Sequence, residues 1–151
     1  MEHLLVQIAA NRILWAGFLA WSLAQIIKPP LHFFTQRQWN WSLLLSAGGM
    51  PSSHSALVTA TTVAIGLQEG FNSAIFAVAW VFSMVVIYDA TGVRRQAGDH
   101  ARILNLMIDE LFTGHPLAEK ELKERLGHTP REVLGGVVLG LAAAVVFMTW
   151  L

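Results

Sequence analysis

Four apolar runs separated by polar segments leave this chain few folds to choose from. They cover roughly residues 4–27 or 8–27, interrupted by Asn11 and Arg12, then 55–67, 73–88 and 133–151. The first and last approach the ~20 residues an α-helix needs to cross a bilayer. The middle two are nearer the length of buried helices in a compact bundle. Only QEGFN, at 68–72, separates them, which predicts a tight helical hairpin. Charged residues make up 13% of the chain, about half the usual share in soluble proteins. The expected fold is all-α: an integral membrane helical bundle of about four spans with short amphipathic helices. Residues 1–151 are read as a single domain.

Composition also removes function classes. Ten basic side chains balance ten acidic ones, so the excess of Lys and Arg that a nucleic-acid binder needs is missing. There is no cysteine, which excludes disulfides and thiolate metal sites. The histidines show no spacing that points to a metal, and no cofactor motif occurs. The first apolar stretch lacks a basic leader and a small-residue cleavage pattern, and is read as a retained helix.

Between the runs lie two polar regions. Residues 28–54 read as a loop, with Pro29, Pro30, several aromatic residues and a glycine pair. Within it, WNWSLLLSA at 39–47 suits the membrane interface, where Trp rings are favoured. Residues 91–130 hold most of the charge. Apolar side chains at 103, 104, 107, 108, 111 and 112 have helical spacing. HPLAEKELKERLG, at 115–127, reads as a further helix that Gly127 stops.

Counting crossings has a consequence. If all four runs cross, the segment at Lys28, the PSSH before run two, the YDATGVRR ending run three and the LGHTPRE before run four emerge on one face. That face carries nearly all the positive charge, whereas the other has Arg12. The positive-inside rule then makes the motif face cytoplasmic, and the inner (plasma) membrane is the expected location.

Three of these segments can carry chemistry. In GGMPSSHSA (48–56), Ser52 or Ser53 can cap the incoming helix. The first turn of that helix suits an anion such as phosphate, and His54 at its mouth can donate a proton to a leaving oxygen. A plain cap with an interfacial histidine fits equally well. In LGHTPREVLGG (126–136), Glu132 stands four residues after His128. A carboxylate there can hold Nδ1–H and leave Nε2 as a nucleophile, or it can simply favour the helix start. In YDATGVRRQAGDHA (88–101), Arg94 and Arg95 can clamp phosphate or anchor the span, and Asp89 is expected to pair with one of them. Lys28 reads as a snorkelling anchor at a helix end.

Together these segments resemble the type 2 phosphatidic acid phosphatase superfamily, which includes vanadium haloperoxidases, and within it a divergent branch. PSSH stands for the Pro-Ser-Gly-His motif, with Ser53 in place of glycine. HTPREVLGG resembles the end of the third motif, with Glu132 in place of aspartate. The resemblance implies a phosphatase in which His128 takes the phosphoryl group, Glu132 orients it and His54 protonates the leaving alcohol. Ser52, Ser53 and Lys28 would bind phosphate. No Arg-Pro follows Lys28 and no Ser-Arg precedes His128 at the family spacing, so Arg94 and Arg95 are the substitutes for the arginine clamp. The implied activity is metal-independent hydrolysis of a phosphomonoester or pyrophosphate, with the bilayer and a phosphorylated lipid as partners. The alternatives are a non-catalytic phosphate- or headgroup-binding protein and, last, a vanadate-dependent oxidase. The small chain is compatible with a homo-oligomer.

Overall fold

Residues 2–46, 48–112 and 127–150 are described by the computed structural model, with the backbone alone at 2, 93–95, 109, 110 and 112. Helices α1 (Glu2–Ala9), α2 (Arg12–Gln36), α3 (Ser53–Glu69), α4 (Ala74–Thr91), α5 (Val93–Phe112) and α6 (Pro130–Trp150) account for most of them, with a short 3-10 helix at Trp41–Leu45. No strand occurs among the described residues.

Helix starts follow local chemistry. An N-cap side chain accepts a hydrogen bond from a backbone N–H that the new helix cannot satisfy itself. Asn11 accepts from the Leu14 N–H at 3.0 Å, Ser52 from Ser55 at 3.3 Å and Ser73 from Phe76 at 3.3 Å. The Asn11 cap also explains why α1 and α2 do not merge: the chain bends by 58° at that break.

Helix α3 lies at the centre, packed by α2, α6 and α4. Ala20, Ala24, Ala56, Ala60, Ala143 and Ala144 form the core. The large side chains face outward instead, as at Val78, Trp80, Val81, Phe82 and Val85 on α4. This suits lipid surroundings, where tails are as apolar as leucine and small residues let helix backbones approach. A Cβ on Gly136 or Gly140 of α6 would overlap the carbonyl oxygen of Ser52 or Ala56, respectively. Among the described residues, Arg12 closes the far end by donating to the Phe147 and Met148 carbonyls at 3.3 and 3.0 Å.

Polar contacts join α3 to α4 within this apolar bundle. The Thr62 and Ser83 hydroxyls lie 2.7 Å apart, and the Ser83 hydroxyl donates to the Val58 carbonyl at 3.2 Å. Ser83→Ala is expected to lower stability by about 0.5–1.5 kcal/mol, read as an earlier midpoint on unfolding in detergent. An unchanged midpoint would remove these hydroxyls from the forces holding α4.

By length and apolarity two helical runs can cross a membrane, Ala74–Ile108 and Pro130–Trp150, with a third if the bent pair α1 and α2 counts as one span. The remaining expected span, the second run, is α3, and it has 17 residues, somewhat short of the ~20 that a lone crossing needs. One local expectation is corrected. The segment after Lys28 is not loop throughout: α2 continues through Pro29 and Pro30 to Gln36. Two prolines delete two backbone bonds, yet the next turns re-form, and Arg37 closes the helix in a left-handed conformation with its N–H on the Phe33 carbonyl at 2.8 Å. The Arg94–Arg95 pair lies on the first turn of α5, which begins at Val93. Helix α5 bears out the predicted spacing and exposes Ile103, Leu104, Met107 and Leu111. The helix predicted at 115–127 falls mainly on residues outside the described ones.

Candidate functional site

Three helix ends and a fourth, passing helix meet at one end of the bundle. Helices α3 and α6 begin there, α4 finishes there, and α2 brings Lys28 alongside. Two backbone hydrogen bonds tie the ends together. The Ser52 N–H donates to the Glu132 carbonyl at 2.9 Å, and the His128 N–H donates to the Ala90 carbonyl at 2.9 Å. The polar segments that counting crossings sends to one face are therefore neighbours in space.

The Glu132 carboxylate does two things. Its Oε2 lies 3.0 Å from His128 Nδ1 and 3.0 Å from the Thr129 backbone nitrogen, which donates to it. In return the Thr129 hydroxyl accepts from the Glu132 N–H at 3.4 Å. This is a reciprocal capping box, with Pro130 at the first helical position. The same cap that starts α6 thus fixes the carboxylate beside the imidazole. With Nδ1–H donated to Glu132, the lone pair of His128 sits on Nε2. His128 is 5% exposed, and among the described residues Nε2 has no hydrogen-bond partner.

Helix α3 offers its N-terminus at the same place. The two serines have different jobs. Ser52 is the cap, and its Oγ also accepts from the Ser55 hydroxyl at 3.0 Å. Ser53 is fully buried, and its Oγ has no hydrogen-bond partner among the described residues. His54 follows, half-buried in the first turn. Lys28 is 1% exposed, donates from Nζ to the Ser46 carbonyl at 2.8 Å and lies within electrostatic reach of Glu132. It is thus a buried cation beside these groups and not an exposed anchor at a helix end, one of the two roles the sequence reading gave it.

Asp89 is half-buried on the last turn of α4, next to the Ala90 carbonyl that holds His128. Arg94 and Arg95 start α5 just beyond it, but their side chains lie outside the described residues, as does any pairing of theirs with Asp89. Sequence reading missed Thr129, although Thr-x-x-Glu is a visible capping signature. It also missed the carbonyls of Ser46 and Ala90, which leave no trace in side-chain identity. Among the described residues no three His, Asp or Glu side chains gather to hold a metal.

The small-residue core and the outward-facing large side chains define an all-α integral membrane protein, with a histidine–carboxylate pair beside a helix N-terminus at one end. Comparison with known proteins is specific. Residues 9–143 match the Divergent PAP2 family, and the chain belongs to that family. It is 43% identical over 158 residues to YuiD of Bacillus subtilis (strain 168), described as an uncharacterized membrane protein, covering 95% of this chain and 100% of that one. No solved structure matches.

Proposed function

We propose that the protein is a membrane phosphatase that hydrolyses a phosphomonoester or pyrophosphate, of a lipid, through a phosphohistidine. The observation that carries this reading is the pairing of buried His128 with half-buried Glu132 at 3.0 Å, beside the N-terminus of α3. In the first step, His128 Nε2 bonds to phosphorus while the bond to the leaving oxygen breaks and His54 gives that oxygen a proton. In the second, water attacks the phosphohistidine, His54 takes the water's proton, and phosphate leaves with Nε2 restored. Glu132 holds the Nδ1 proton throughout and offsets the positive charge that the ring gains.

Phosphoryl transfer depends on positioning and on stabilising negative charge. Lys28, the Ser53 hydroxyl and the first-turn N–H groups of α3 supply that here. Arg94 and Arg95 are proposed to complete the clamp, because α5 starts three residues after the Ala90 carbonyl that holds His128. A site at a bundle end suits a substrate with its tail in lipid and its phosphate in water. The site end also holds Lys28, Arg37 and Arg131, against Arg12 at the far end, which favours a cytoplasmic active-site face in the plasma membrane.

The test is phosphate release by purified protein in detergent–lipid micelles, offered phosphatidic acid, phosphatidylglycerophosphate and isoprenyl pyrophosphates. Release from at least one of them, with a phosphorylated intermediate stable in base and labile in acid, is the expected result. Binding of these lipids without any release would replace the phosphatase with a headgroup-binding protein.

A further inference from the structure

Gln25 is a polar residue in the first long apolar run that the mechanism above does not use. It is 8% exposed on α2, and its Oε1 is buried with no hydrogen-bond partner among the described residues. Within a bilayer no bulk water can satisfy such a group, and an isolated buried amide is something that folded proteins avoid. Its place is informative. Gln25 precedes Lys28 by three positions, so the two share a face of α2. Because α2 runs toward the site end, Gln25 lies about 4.5 Å deeper in the bundle than Lys28. Its chain neighbour Ala24 packs in the alanine core with Ala56 from the start of α3, so Gln25 is level with the first turns of that helix. The first turn holds the other buried oxygen without a partner among the described residues, Ser53 Oγ.

We propose that Gln25 is a specificity residue that accepts a hydrogen bond from a hydroxyl on the alcohol portion of the substrate, close to its phosphoester. This rests on the phosphatase reading. With phosphate at Ser53 and Lys28, the part of the substrate that meets Gln25 is what lies between phosphate and tail. A carboxamide oxygen there requires a donor. A glycerol-type lipid phosphate with a free hydroxyl provides one, whereas a prenyl chain presents only C–H groups. The substrate class is therefore a hydroxyl-bearing polyol phosphate on a lipid.

The experiment compares 1-acyl-glycerol 3-phosphate with its 2-deoxy analogue in mixed micelles. Wild-type protein is expected to favour the hydroxylated lipid by about tenfold or more in kcat/KM, because a site built for a hydroxyl rejects the analogue lacking it. In Gln25→Leu the ratio is expected to fall to near one, with turnover of the deoxy lipid retained. The unfolding midpoint of Gln25→Leu is expected to stay level or rise, since an unpartnered polar group leaves the interior. Equal turnover of both lipids by wild type, or a ratio that survives in Gln25→Leu, would overturn the proposal and leave the phosphatase reading standing. Loss of the fold in Gln25→Leu would also overturn it by making the amide structural. Equilibrium binding of both lipids to His128→Ala separates the remaining case. Selective binding that Gln25→Leu abolishes, without release by wild type, would end the phosphatase reading and keep Gln25 as a hydroxyl acceptor.

Discussion

Changing His128 to alanine is expected to cut phosphate release by about three orders of magnitude or more, to the level of protein-free micelles, because it removes the nucleophile. The neighbouring carboxylate makes a sharper test. Glu132 both caps α6 and holds the His128 Nδ1 proton through one oxygen, and a single substitution separates those hydrogen bonds from the carboxylate's charge. Glutamine at the third helical position still completes a capping box, so Glu132→Gln is expected to fold with an unchanged unfolding midpoint. Because one oxygen, Oε2, serves both Thr129 N–H and His128 Nδ1, the amide oxygen can keep both hydrogen bonds, and what is lost is the negative charge that offsets the ring when it becomes positive. Activity is expected to drop roughly a hundredfold or more, as when the orienting carboxylate of a catalytic triad is neutralised. Adding Glu132→Gln to His128→Ala should cost nothing further, since the two act as a unit. Wild-type turnover in His128→Ala would sink the nucleophile assignment. A large loss of stability in Glu132→Gln would show that the charge, more than the cap, holds the start of α6.

The second large effect is structural. A Cβ at Gly140 would overlap the Ala56 carbonyl oxygen and come within 3.1 Å of the Ala56 Cα. The obstacle is backbone and cannot rotate away. Gly140→Leu is expected to cost about 3 kcal/mol or more by overpacking and to remove activity, because the α3–α6 contact holds Ser52 against Glu132. The measurement is the unfolding midpoint in detergent, beside Gly135→Ala as a control. There a new Cβ would meet the end of the flexible Met50 side chain, at 3.3 Å, and little change is expected. Equal tolerance at both positions would mean that α3 and α6 are not in backbone contact.

Much of the helical pattern was legible because its causes are local. Ser73 caps α4 and Pro130 opens α6, and the spacing from 103 to 112 makes a helix whatever surrounds it. The His128–Glu132 pair was legible for the same reason, being one helical turn long. The continuation of α2 past Pro29 and Pro30 was not, because proline removes hydrogen bonds locally and only the surrounding contacts decide whether the helix resumes. Nor could one read which serine caps. Both side chains are competent at a helix start, and the choice of Ser52 frees the Ser53 hydroxyl.

The sequence by itself determined an all-α membrane protein, some of its helix starts and a histidine with its carboxylate, since each depends on residues within a few positions of one another. Tertiary structure alone decided that Lys28 is a buried cation and that Ala90 holds His128. It also decided that Ser52 meets Glu132, eighty positions away in the chain. Such contacts depend on how closely alanine and glycine faces let separate helices approach, which no local pattern encodes.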